Sequence, residues 1–147
     1  MKNLFLLIFF IFTTIISFSQ NKNKSNLCLQ NEKYMVGTWK MDTIVIKEDF
    51  DMGDYAALYQ EKFKILKDST YFVFSSDFSY TKMSMGKLTK GTWNISRDGT
   101  MINVKIDGRD TEEQSRILEL NATKLIMSPM SESSNSKVVM YKENQQP

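Results

Sequence analysis

From Trp39 onward the apolar residues of this chain fall mainly at every second position, in short runs separated by turn residues. That spacing is the period of a β-strand with one buried face, and it recurs too often to belong to a single hairpin. Eight strands are expected: Trp39 to Ile46, Thr70 to Ser76, Phe78 to Met85, Thr89 to Ser96, Met101 to Ile106, Gln114 to Asn121, Lys124 to Met130 and Lys137 to Tyr141. The chain has three Ala and many Thr, Ile, Val and Tyr, which favours strands over helices. Asp98-Gly99 and Asp107-Gly108 have the residues that tolerate positive φ in tight hairpins, Ser76-Asp77 and Asn121 to Thr123 are short reversals, and Gly86 and Gly91 bracket another connection. Pro129 lacks a backbone donor and belongs at a strand end or edge.

One segment breaks the alternation. From Asp54 to Lys67, Tyr55, Leu58, Tyr59, Phe63 and Leu66 recur at three- and four-residue steps, the signature of one helical face. Asp51 and Asp54 at its start and Lys62, Lys64 and Lys67 in its last turns suit the helix dipole. A single amphipathic helix between strands 1 and 2 must cover something apolar, and one open end of a barrel is the expected place. Eight antiparallel strands with one apolar face need closure or a second sheet; an up-and-down barrel fits the short connections after the helix better than a β-sandwich does. The fold class expected is therefore all-β, an eight-stranded antiparallel up-and-down barrel with one helix.

The ends of the chain carry a different message. Met1-Lys2-Asn3 followed by the greasy run Leu4 to Phe18, with Ser17 and Ser19 before Gln20, reads as a secretory signal peptide of residues 1–19. Fifteen residues fall short of the roughly 20 needed for a transmembrane helix, and an uncleaved anchor would want a stop-transfer pattern that does not follow. The Phe-rich run ending in Ser-Phe-Ser-Gln resembles leaders common in Bacteroidetes bacteria. Residues 20–34 read as a polar tether and lead-in, 35–143 as the barrel domain and 144–147 as a tail. Cys28 lies nine residues beyond Ser19, too far from the apolar run for a lipid anchor, and between Leu27 and Leu29 it reads as a buried structural thiol. The expected location is the periplasm or the extracellular space.

Charge and composition exclude several chemistries. Once Lys2 leaves with the leader, 18 basic groups face 17 acidic ones, which gives no electrostatic case for nucleic acid or an anionic membrane. There is no His and a single Cys, so His-based catalysis, disulfide scaffolds and Cys/His zinc sites fall away. Asp49-Phe50-Asp51-Met52-Gly53-Asp54 starts like a calcium loop but has Asp54 where Gly belongs and Gln60 where Glu belongs; helix capping accounts for its carboxylates. Glu112 and Glu113 are adjacent, so on a strand they face opposite ways and form no acid–base pair; a solvated turn is the expectation. Lys40, Lys82, Lys87, Lys90, Lys105 and Lys124 are scattered as on a barrel exterior.

Alternation places Trp39, Met41, Thr43 and Val45, then Phe72, Phe74, Tyr80, Trp93 and Ile95, with Ile102, Val104 and Ile106, on the inward face. The candidate ligand-binding residues are Trp39, Met41, Thr43, Phe72, Phe74, Tyr80, Trp93, Ile95 and Val104, with Tyr80 and Thr43 as polar tips in an apolar pocket. Nine Met remain after the leader, Met83, Met85, Met127, Met130 and Met140 among them, and flexible thioethers suit an adaptable wall. The competing reading is that these side chains simply fill the barrel, with Trp39 as a plug at its base.

The motifs also carry a resemblance. Met35-Val36-Gly37-Thr38-Trp39-Lys40 resembles the Gly-x-Trp opening of lipocalin and calycin barrels. Gly91-Thr92-Trp93-Asn94-Ile95-Ser96 with Asp98-Gly99-Thr100 resembles a hairpin of the bacterial lipocalin-like domains common in secreted Bacteroidetes proteins. The likeness runs from about Met35 to Glu143. It implies a barrel that binds a small apolar or amphipathic molecule without cofactor, metal or covalent chemistry. The alternative is a packed-core envelope module that acts through its outer surface, and an enzyme ranks third for want of an acid–base pair. Three features depart from the family pattern: there is no Thr-Asp-Tyr element, there is no Arg in the last strand to stack on Trp39, and the helix falls between strands 1 and 2, whereas typical lipocalins carry one after the eighth strand.

Overall fold

The structure, a computed structural model, describes residues 24–45, 56–130 and 136–143. A helix, α1 (Asn26–Met35), leads into β1 (Gly37–Val45), and a second helix, α2 (Ala56–Ser69), precedes seven further strands. These are β2 (Tyr71–Phe74), β3 (Ser79–Ser84), β4 (Lys87–Ile95), β5 (Met101–Ile106), β6 (Glu112–Leu120), β7 (Lys124–Pro129) and β8 (Lys137–Lys142). Each strand pairs antiparallel with its sequence neighbours, and β8 returns to β1 to close the barrel. Closure buries the apolar face and leaves no sheet edge.

The expected strands are all present, with ends displaced by at most two residues. Gly91 marks no connection: it lies within β4, opposite Tyr80 and Ile106. The β3–β4 turn is made by Met85 and Gly86, at φ +50° and +75°, the double left-handed geometry of a two-residue hairpin. Pro129 ends β7 as expected.

Two bulges decide which residues face inward. Between Met41 and Thr43 the β1–β8 register shifts, leaving Asp42 as the extra residue; a second shift lies between Ile117 and Glu119 in β6. An added residue reverses every side chain beyond it. Ile44 therefore packs against the core, while Thr43 faces outward with its partner Val139 and Val45 is 49% exposed. Strict alternation had placed Thr43 and Val45 inside, and the bulge overturns that. Asp42 itself turns outward to α2, where its carboxylate accepts from Lys67 Nζ at 2.9 Å.

The barrel has unlike ends. One gathers the start of β1, the β2–β3, β4–β5 and β6–β7 turns and the end of β8, and α1 lies across it. Ser25 caps this helix by accepting from the Cys28 amide, and Cys28, Asn31 and Met35 point into the protein. Asn31 donates to the Gly99 carbonyl at 2.9 Å, and the Ser25 amide donates to the Arg97 carbonyl. Gly99 has φ +85°, and a Cβ there would lie 2.7 Å from the Cys28 amide nitrogen. The Asp-Gly turn thus supplies both the hairpin geometry and the clearance for α1. Helix α1 has no counterpart in the sequence expectation, which treats this stretch as lead-in. The signal for it is the cap Ser25 and the spacing of Cys28, Asn31 and Met35, masked because one of the three inward positions is a polar Asn. Cys28 is fully buried, and burial pushes its thiol pKa up, with Glu32 adding to the shift.

The β4–β5 turn under α1 is an acid-sensitive contact. Asp98 accepts from the Ser96 hydroxyl and from the amide and hydroxyl of Thr100, and these bonds hold its carboxyl pKa down at about 2. A folded-state pKa below the unfolded one, about 4 for Asp, means the contribution is complete above that value and is lost as pH falls from about 4 to about 2. Carboxyl NMR should show Asp98 titrating with a midpoint of about 2. Asp98→Ala should remove stability at neutral pH and flatten its fall across that acid window; an Asp98 midpoint at the ordinary Asp value would contradict the geometry.

The other end gathers the end of β1, the start of β2, the β3–β4 and β5–β6 turns, the end of β7 and the start of β8. Helix α2 lies beside it, packing on β1 and β3. Phe63 and Leu66 meet the core, whereas Leu58, expected on the same buried face, is 47% exposed. Asp54 and Tyr55, the Asp49–Asp54 run, the leader 1–19 and the tail 144–147 lie outside the described residues, as does most of the stretch before α1.

Candidate functional site

The second end opens into a cavity of about 560 Å³ inside the barrel. Its deeper wall is apolar: Met41, Phe72, Phe74, Ile102, Val104, Met127 and Val138. Tyr80, opposite Phe74, is the polar residue near the floor, and higher up lie Lys82, opposite Phe72, the run Glu112 to Ser115 from β6, and Pro129 and Met130 after β7. Among the described residues none from α2 lines the cavity, so the helix flanks the mouth and does not plug it.

Of the nine candidate residues, Met41, Phe72, Phe74, Tyr80 and Val104 line this space. Thr43 is turned away by the β1 bulge, so Tyr80 supplies a polar tip and Thr43 does not. Trp39, Trp93 and Ile95 are buried but belong to the floor, on the α1 side. Trp93 stands edge-on to Phe74 at 5.6 Å and 82°, and its indole N–H donates to the Ser75 carbonyl at 3.1 Å. Phe74 and Tyr80 are in contact at 5.4 Å, so the floor and the lower wall form one aromatic cluster.

Trp39 is the base plug. It is completely buried, and its indole N–H donates to the Met35 carbonyl at 2.7 Å, which satisfies the last turn of α1. Over its ring, 5.1 Å from the centroid, sits the ammonium of Lys142, which donates to the Tyr34 carbonyl at 2.9 Å. The last strand has no Arg for this role, and Lys142 supplies the stacking cation in its place. Gly37 makes it possible: at φ +142°, a Cβ there would come within 2.6 Å of Lys142 Cε. The Gly-Thr-Trp motif is thus a packing device in which Gly37 clears the path of a lysine stem that clamps Trp39 to α1.

Lys82 was grouped with the exterior lysines, and the structure moves it inside. It pairs directly with Phe72 across β2 and β3, on the inward face, and its ammonium lies 5.5 Å from the Phe72 ring centroid. The signal was in the sequence, because Tyr80 faces inward and the residue two further along a regular strand must do the same. Glu112 and Glu113 also leave the expected turn: they begin β6 at the rim, exposed, and Glu113 Oε1 accepts from Arg109 Nη1 at 2.8 Å. Tyr80 is 5% exposed, and its phenol is pushed well above its ordinary pKa, mainly by burial and secondarily by the Glu113 charge. It stays a neutral O–H donor at any physiological pH. Among the described residues its hydroxyl has no hydrogen-bond partner in the protein.

The arrangement can enclose a small molecule, with an apolar interior and a few polar groups near the entrance. Among the described residues no group of three His, Cys, Asp or Glu side chains is placed to hold a metal ion, and no helix is long and apolar enough to cross a membrane.

Known proteins are similar to this chain in fold. The model of the lipocalin-like domain family matches residues 35–127. A crystal structure of a DUF4847 family protein from Bacteroides vulgatus superposes with a TM-score of 0.53 at 14% identity, over 80% of this chain and 99% of that one. A lipocalin-like protein from Bacteroides uniformis gives 0.46 at 15% identity, over 74% and 98%. No protein of curated function matches.

Proposed function

The chain belongs to the lipocalin-like domain family, and from that premise we propose that it binds a small apolar or amphipathic molecule inside the barrel and performs no covalent chemistry on it. Barrels of this family are in general binding proteins. The observation that carries the reading is the cavity: about 560 Å³ falls within the roughly 300–1,000 Å³ of small-molecule sites. A barrel packed solid and working through its outer surface would have no such space. The site uses Met41, Phe72, Phe74, Tyr80 and Val104, while Trp39, Trp93 and Ile95 hold its floor rigid. The proposal extends to export: residues 1–19 direct the protein to the periplasm or beyond as a cleaved signal, and no lipid is attached. The seating of Cys28 under α1 supports the last point, because a lipidated cysteine would have to be a free N-terminus.

Native mass spectrometry of protein purified from its source should show a bound organic mass, and a neutral fluorescent probe such as Nile red should bind and be displaced by long-chain amphiphiles. N-terminal sequencing of the same material should begin at Gln20. A ligand-free protein that ignores every apolar probe would overturn the binding role.

A further inference from the structure

Within that binding role, the charges inside the cavity restrict the ligand further. Lys82 is the one lysine among the lining residues, and no carboxylate of a described residue lies within ion-pair distance of it. Its contact with Phe72 is a cation–π interaction, and among the described residues no group accepts a hydrogen bond from the ammonium. Two residues earlier on the same face, the Tyr80 hydroxyl is likewise without a partner among the described residues. Residues two apart on a strand are separated by about 6.6 Å, so both side chains can converge on one small acceptor group. Of the rim carboxylates, Glu113 is paired with Arg109 and its charge still reaches the Tyr80 hydroxyl, and Glu112 is exposed, so the attraction for an anion is carried by Lys82 and the Tyr80 hydroxyl adds only a hydrogen bond.

We infer that the cavity takes an amphiphile with a single anionic head group of the carboxylate class, received by Lys82 Nζ and the Tyr80 hydroxyl, with its chain against Met41, Phe74, Val104 and Met127. Lys82 is nearer the mouth than Tyr80 on β3, so the chain enters first and the head group stays near the entrance. Glu112 and Glu113 at the rim disfavour a second negative charge. The inference rests on the binding role proposed above and adds the chemistry of the head group.

The test compares dodecanoate, dodecanol and dodecylamine, each below its micelle-forming concentration, as competitors of Nile red at mildly alkaline pH and low salt. The acid should bind about tenfold more tightly than the alcohol, as a charge-assisted hydrogen bond in a half-buried site implies. Lys82→Met should reduce that preference to near unity, and Lys82→Arg should restore it. An unaltered far-UV circular dichroism spectrum verifies that the variant is folded; if Lys82→Met does not fold, the three head groups on the unaltered protein decide the matter. Equal binding of acid and alcohol, survival of the acid preference in Lys82→Met, or a preference for the amine would overturn the head-group assignment and leave the binding role standing. Failure of all three competitors and of Nile red would remove both.

Discussion

Trp39→Ala should remove a large fraction of the protein's stability. The side chain is completely buried, and removing a core Trp costs about 3–5 kcal/mol through lost transfer energy and the cavity left behind. The loss is compounded here because the Met35 carbonyl forfeits the indole N–H that satisfies it, and Lys142 loses the ring beneath its ammonium. Against a total stability of roughly 5–15 kcal/mol, that is a large fraction. Chemical denaturation followed by far-UV circular dichroism would measure it. The clamp is separable from the plug: Lys142→Met keeps the stem over Trp39 and gives up only the cation–π contact and the bond to Tyr34. Burial already lowers the pKa of this lysine, so removing the charge recovers part of its desolvation cost, and the net loss should be about 1 kcal/mol. Lys142→Arg should be tolerated, since a guanidinium can stack on the same face. A Trp39→Ala variant within 1 kcal/mol of the unaltered protein, a threshold well below the roughly 3–5 kcal/mol expected, would show that Trp39 is not the plug.

Gly91→Ala should lower the melting temperature by on the order of 10 °C, from a loss of about 3 kcal/mol. A Cβ on Gly91 would lie 2.1 Å from the Lys105 carbonyl oxygen and 3.0 Å from Ile106 Cα, both backbone atoms of β5. No rotamer change relieves that overlap; β4 and β5 would have to separate at Gly91–Ile106, next to the bond from the Asp107 amide to the Lys90 carbonyl. Gly86→Ala is the control. Nothing lies within 4 Å of its Cβ position, so it carries only the strain of φ +75°, about 1–2 kcal/mol. Thermal melts in which the two variants fall equally would mean that β4 and β5 accommodate the methyl group. The two Gly-Thr-Trp motifs thus use their glycines differently, the first to pass a lysine stem and the second to let two strands approach.

Strands, closure and most of the cavity wall were legible in the chain because a period of two needs no knowledge of what lies opposite. Phe72, Phe74, Tyr80 and Val104 sit on unbroken strand segments, and counting by twos from any of them finds the rest. The same count from Tyr80 reaches Lys82. Its charge argued for the exterior, but only because the sequence gives no indication that the barrel is hollow at that height. Thr43 and Val45 were misplaced for a different reason. A bulge is a property of two strands, set by how β1 must bend to meet β8 on one side and β2 on the other, and Asp42 has no local mark that announces it.

Helix α1 and the Lys142 clamp lie beyond what local pattern can reach. Asn31 is a polar residue on a buried face because its partner is the Gly99 carbonyl, 68 residues away, and Lys142 crosses Trp39 to reach Tyr34, 108 residues before it. The sequence by itself determined the eight-stranded antiparallel barrel, most of its turns and a mostly apolar interior, since these follow from spacing and backbone preference. Only the tertiary structure decided which end is sealed, how much space remains inside, and that a positive charge stands within it. Those depend on the volume enclosed when β8 meets β1, and on contacts between residues that no period connects.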